Sequence, residues 1–89
     1  MIERDVNIIN RLGLHARAAS KLANLCGKFE SNIAFSKHTQ NASGKSLMSL
    51  MLLAASQGSV IHVQCDGKDE VAAMEAVCAL IADRFGESE

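Results

Sequence analysis

The chain opens on alternation. In IERDVNII, Ile2, Val6 and Ile8 share one parity, with Arg4 the polar residue among them. A period of two predicts a strand with one buried face. Ile9 falls on the other parity and is expected at the surface. The period then lengthens. In AASKLANLCGKF, Ala19, Leu22, Ala23 and Cys26 recur at i, i+3, i+4 and i+7, the spacing of one face of an amphipathic helix. Gly27 is its expected stop. NIAFSK places Ile33 and Phe35 on one face of a second strand. HTQNAS holds a turn and a short third strand, with no glycine to ease the turn. From Ser46 to Gly58 the chain reads as a second helix, with Ser46 as N-cap and Gly58 as terminator. That run is apolar nearly all round: Leu47, Met48, Leu50, Met51, Leu52 and Leu53. SVIHVQC alternates again, with Ile61, Val63 and Cys65 on one face and His62 and Gln64 on the other. In DGKDEVAAMEAVCALIADRF, Asp69 is expected to cap a last helix whose inward stripe is Val71, Met74, Cys78, Ile81 and Phe85.

The order β-α-β-β-α-β-α constrains the architecture. Short strands with one polar face need helices on the other face. The first β-α-β crossover makes strands one and two parallel. A fourth strand inserted between them gives the order 1-4-2-3 with antiparallel neighbours. The expectation is an α+β open-faced β-sandwich, a four-stranded antiparallel sheet with three helices on one face. The 89 residues suit a single domain, 1–89. A chain of this size buries roughly 65% of its unfolded surface, enough for a modest core.

Composition narrows the function. A net charge of −1 gives no bulk electrostatic case for nucleic acid. Phe29, Phe35 and Phe85 are the only aromatics, too few for a base-stacking platform. With neither a signal-like N-terminus nor an apolar run of about 18 residues, a cytoplasmic protein without membrane insertion is expected. Cys26, Cys65 and Cys78 are odd in number and widely spaced. They read as reduced and mostly buried, not as a disulfide framework or a metal site. No cofactor is expected. His38 and His62 read as a turn residue and an exposed strand-face residue.

The candidate chemistry lies in RLGLHARAASKL, where Arg11 and Arg17 bracket His15. A helix starting near Ala16 puts His15 at its N-cap. First-turn amides lack intrahelical partners and carry the positive end of the helix dipole. A phosphoryl group there would meet the backbone of Ala16 and Arg17. Gly13 lets the preceding loop turn tightly. The Arg17 guanidinium can follow an arriving or departing phosphoryl group. The dipole favours the neutral ring, leaving a nitrogen lone pair to attack phosphorus. The plainer alternative is that His15 only caps the helix and Arg17 is a solvated cation.

GLHARAA, followed by GKSLMSLMLLAASQGS and then DGKDEVAAMEAV, resembles the HPr phosphocarrier family of the bacterial phosphoenolpyruvate-dependent sugar phosphotransferase system. The resemblance covers nearly the whole chain. It implies that His15 accepts a phosphoryl group on Nδ1 from enzyme I and passes it to enzyme IIA components. Arg17 then matches the family's active-site arginine, and Ser46 its regulatory serine, the target of an HPr kinase/phosphorylase in some lineages. Such a protein is a monomeric, stoichiometric carrier and not an enzyme. Leu47, Met48 and Met51 would spill onto the surface as a docking patch, where methionine suits several unrelated partners. Ser46 alternatively is an ordinary N-cap. Ala18 stands where the family usually has proline, a replacement a helix start tolerates. Two other roles fit the same residues: a nitrogen-related phosphotransferase paralogue, and a regulatory binding module acting through Ser46.

Overall fold

The computed structural model describes residues 1–89. Its elements are β1 (Ile2–Asn7), α1 (Ala16–Cys26), β2 (Asn32–Lys37), β3 (Gln40–Ser43), α2 (Leu47–Leu52), β4 (Val60–Asp66) and α3 (Glu70–Ala82), ending in a 3-10 turn at Arg84–Gly86. The sheet order is β1-β4-β2-β3, with every neighbouring pair antiparallel. The alternation explains the register. Val6 faces Ile61 across β1 and β4, while Ile33 faces Cys65 and Phe35 faces Val63 across β2 and β4. Ile33, Phe35, Ile61, Val63 and Cys65 join Leu22, Leu50, Met74, Val77 and Ile81 of the helices in one buried cluster, with Val6 packed against it. Arg4 stands opposite Val63 and sends Nη1 to 3.8 Å from Cys78 Sγ. A charge on the inward parity of an edge strand discourages pairing with another chain. No helix is long and apolar enough to cross a membrane.

The structure corrects four local expectations. The second helix ends at Leu52, not at Gly58. Ala54 adopts φ +52° and leaves the helix. The Ala55 carbonyl then accepts the Leu14 amide at 2.8 Å, and the Gly58 amide donates to Ile8 at 2.8 Å. Bonds to a distant segment thus outweigh continued helix in a run with good helical propensity. On α3, Val71 is 59% exposed, and the inward residues are Ala73, Met74, Val77 and Ile81. Phe85 is buried but lies beyond the helix, which ends at Ala82. Gly27 does end α1, as its C-cap, but with φ −64° and not in the left-handed region. The β2–β3 turn finds its positive φ, +55°, at His38 in place of glycine.

Asp69 flanks α3 yet makes no cap bond to it. Its carboxylate accepts the backbone amides of Glu30 and Ser31, each at 2.9 Å, and the Ser31 hydroxyl. These donors, the Ser31 hydroxyl first, hold its pKa down to about 2. The bonds tie the start of α3 to the entrance of β2. A carboxyl depressed on folding stabilises the fold above its unfolded pKa, near 3.9, and loses that contribution as pH falls through the folded value. Wild type is therefore expected to melt above Asp69→Asn at pH 6, with the gap closing between about pH 4 and the folded value near 2. Melting curves over that range check this, and a gap independent of pH would refute it.

Candidate functional site

The site begins with a glycine pressed against a carbonyl. Gly13 has φ +64°, and a Cβ built there would lie 2.5 Å from the Ala55 oxygen and 2.8 Å from Ser56 Cα. Leu14, next in the chain, is buried and donates its amide to that same Ala55 oxygen. The loop between β1 and α1 is thereby docked onto the segment that follows α2. His15 then takes extended angles, φ −74° and ψ 176°, at the N-cap of α1. Its imidazole makes no cap bond. The helical ladder begins with the Ala19 amide on the His15 carbonyl at 2.8 Å, so the amides of Ala16, Arg17 and Ala18 lie outside it.

The C-terminal residues complete the site. Glu87 Oε2 contacts His15 Nε2, and Glu87 Oε1 accepts Asn10 Nδ2 at 2.9 Å. Asn10 is fully buried, and the same Nδ2 donates to the Gly13 carbonyl at 2.8 Å. Its Oδ1 has no partner. Both neighbours are acceptors, so the amide nitrogen must be the end that faces them. Hydrogen bonding from His15 first, and then from Asn10, holds the Glu87 carboxyl below the usual range. Arg11 pairs with Glu89 through Nη1 at 2.9 Å and through its amide on the Glu89 carbonyl at 2.8 Å. Lys21 Nζ donates to the Phe85 carbonyl at 2.6 Å.

Together these residues bound an open cleft of about 600 Å³, lined by Arg11, Leu12, His15, Ala16, Arg17 and residues 87–89. The structure brings His15, Ala16 and Arg17 together, as the sequence led one to expect. Arg17 is exposed and makes no ion pair, whereas Arg11 is engaged. The cleft therefore offers an anion a free guanidinium and helix-start amides beside a half-exposed imidazole. Ser46 is not in the cleft. It is half-buried at the N-cap of α2 and accepts the Ser49 amide at 3.2 Å. Leu47, Met48 and Met51 are exposed on α2, which packs beside α1, and Leu52 joins them. Asn10, Glu87, Glu89 and Leu52 are the residues that sequence reasoning missed. Glu87 lies 72 positions from His15 in a polar tail, and no local pattern connects them.

The fit of Gly13 to Ala55 is testable against Gly58, which has φ +88° but no atom near its would-be Cβ. Gly58→Ala is expected to cost about 1–3 kcal/mol through backbone strain alone. Gly13→Ala is expected to cost more, because a backbone carbonyl must also move. Urea unfolding of both variants decides this, and equal losses would show that the Ala55 contact imposes nothing.

Comparison with known proteins follows the same lines. A family model described as the PTS HPr component phosphorylation site matches residues 2–83. The phosphocarrier protein HPr of Cupriavidus necator is 51% identical over 89 residues, with both chains covered completely. A phosphocarrier protein NPr of Shewanella violacea is 41% identical over 87 residues, covering 98% of this chain and 96% of its own. The crystal structure of HPr-C-His from Thermoanaerobacter tengcongensis superposes with a TM-score of 0.96 at 38% identity, with both chains covered completely.

Proposed function

This chain belongs to the HPr family of phosphotransferase-system phosphocarriers, and from that premise we propose that His15 is the residue that carries the phosphoryl group. The observation that carries the reading is the cleft: an imidazole at the start of α1, the amides of Ala16 and Arg17 outside the helical ladder, and Arg17 without a partner. His15 Nδ1 accepts the phosphoryl group from a phosphohistidine of enzyme I and passes it to a histidine of an enzyme IIA component. The amides and the dipole of α1 stabilise the anion by about 0.3–1 kcal/mol, more where water is excluded. Arg17 supplies a charge-assisted hydrogen bond as the group moves. Transfer of this kind needs positioning and charge stabilisation more than covalent chemistry, so a stoichiometric carrier suffices and a turnover catalyst is not required.

Docking falls to the exposed apolar face of α2. Met48 and Leu52 are each 69% exposed, and Leu47 and Met51 flank them. The packing of α2 against α1 supports a single partner covering this face and His15 together. Ser46 is a regulatory site in this reading, read by an HPr kinase/phosphorylase. A phosphate at an N-cap is tolerated by the helix it caps, so its charge acts on docking and not on folding. We place the protein in the cytoplasm as a monomer, in keeping with three unpaired thiols.

Incubation with phosphoenolpyruvate and enzyme I is expected to add one acid-labile phosphate to wild type and none to His15→Ala, read by intact-mass spectrometry. Acid-labile phosphate on His15→Ala would overturn the assignment. Met48→Asp is expected to weaken binding to enzyme I by about 2 kcal/mol or more, as loss of a central interface residue does. Its melting temperature is expected to fall less than that of Leu50→Ala, whose side chain is fully buried. Unchanged affinity in titration calorimetry would remove Met48 from the interface.

A further inference from the structure

The C-terminal residues reach His15 through a turn that the chain does not adopt freely. Arg84 and Phe85 both have φ +56°. Two consecutive side-chain-bearing residues in the left-handed region are strained and persist only where the surroundings impose them. Here the surroundings are explicit. The Phe85 ring is fully buried, its carbonyl accepts Lys21 Nζ, and the Glu87 amide closes the turn on the Arg84 carbonyl at 2.9 Å. The turn delivers the Glu87 carboxylate between Asn10 Nδ2 and His15 Nε2. Asn10 belongs to the docked β1–α1 loop and bonds the Gly13 carbonyl with the same amide group. A buried side chain thus sets the position of a carboxylate that would otherwise swing in a polar tail.

We propose that Asn10 and Glu87 are positioning residues that select which ring nitrogen of His15 takes the phosphoryl group. This inference rests on the phosphocarrier reading of His15 and deepens it. The structure provides an acceptor for a proton on Nε2, the Glu87 carboxylate, and none for a proton on Nδ1. The neutral ring is therefore held with its proton on Nε2 and its lone pair on Nδ1. In the transfer step, the Nδ1 lone pair forms the new N–P bond. The donor is a phosphoramidate, such as a phosphohistidine. Its own N–P bond breaks and its electron pair returns to the donor nitrogen. No proton leaves the His15 ring. The positive charge that the ring acquires faces the Glu87 carboxylate. On delivery the electron pair returns to Nδ1 and the ring is neutral again. Asn10 acts one step back, by holding Glu87 Oε1 while Oε2 faces the ring.

The full chain with nitrogen-15-labelled histidine tests this. Long-range proton–nitrogen correlation spectra report the tautomer of His15, separately from His38 and His62. Wild type is expected to show the Nε2–H form. Glu87→Ala is expected to shift the tautomer ratio toward Nδ1–H by about tenfold, the loss of one charge-assisted hydrogen bond. Treatment with potassium phosphoramidate, a small donor that needs no partner protein, then reads the site of attack. Wild type is expected to be phosphorylated on Nδ1, and Glu87→Ala to carry an about tenfold larger share on Nε2, which the variant leaves uncovered. Glu87→Gln keeps an acceptor oxygen without the charge and is expected to fall between the two. Asn10→Ala should move both readouts in the same direction by less, and adding it to Glu87→Ala should change nothing further. If Asn10→Ala does not fold, the two Glu87 variants still decide the matter. An Nδ1–H tautomer in wild type, or an identical nitrogen preference in wild type and Glu87→Ala, would overturn the proposal. Failure of wild type to take phosphate from phosphoenolpyruvate and enzyme I would instead overturn the carrier reading, while the tautomer of the unphosphorylated protein would still judge Asn10 and Glu87.

Discussion

The approach of Gly13 to the Ala55 carbonyl is the contact on which the site depends. It joins the loop before α1 to the segment after α2, through a position where a side chain does not fit and an amide, that of Leu14, takes the carbonyl's lone pair. Because the loop is docked there, α1 starts at Ala16 and its first amides remain outside the helical ladder. On the other side of the contact, α2 ends at Leu52 and Ala54, at φ +52°, turns the chain so that the Ala55 carbonyl meets the loop. The contact thereby ties the first turn of α1 to the segment that leaves the helix beside it.

The second helix is unusual for what it exposes. Six residues are too few for a helix to hold itself in water. Leu50 and Leu53 anchor it in the core, and the Ser46 hydroxyl caps its start. That leaves Leu47, Met48, Met51 and Leu52 facing solvent. A short helix anchored at few points can present a large share of its apolar surface outward. In a longer helix, an apolar stripe would be drawn onto the sheet. The early end of α2 and the exposed patch thus go together.

Charge around the cleft is divided with a purpose. Arg11 and Lys21 are engaged with the C-terminal residues, through Glu89 and the Phe85 carbonyl. Arg17 is left unpaired. Arg17 is thus the cation lining the cleft that has no partner, and the tail is tied down beside the imidazole. Away from the cleft, His62 bridges Glu3 and Asp5 across β1 and β4 on the open sheet face, at 2.8 and 2.7 Å. Those bonds, with Asp5 first, raise the His62 pKa, so this contribution is present at low pH and is lost as pH rises through the elevated value. It acts on the β1 edge, through Glu3 and Asp5, and not on the cleft at His15.

The periodicities of two and 3.6 determined the strands, two of the helices and, with the crossover rule, the sheet order. They did so because which face a residue presents depends on its neighbours a few positions away. The same local logic placed His15, Ala16 and Arg17 at one helix start, and put Met48 on the surface. What tertiary structure alone decided is of another kind. The second helix stopped at Leu52, with Ala54 at a positive φ, against the propensity of the run. Asp69 turned from its own helix to the amides of Glu30 and Ser31. The stripe of α3 settled on Ala73 and Val77 and left Val71 outside, since an apolar helix with little amphipathic contrast takes its phase from the sheet it meets. Above all, Glu87 came to His15 across 72 residues, through a buried asparagine and a strained turn. Each of these pairs groups far apart in the chain, and no hydrophobic period records such a pairing. The energy that selects it comes from satisfying buried polar groups, and those partners are defined only once the chain has closed around them.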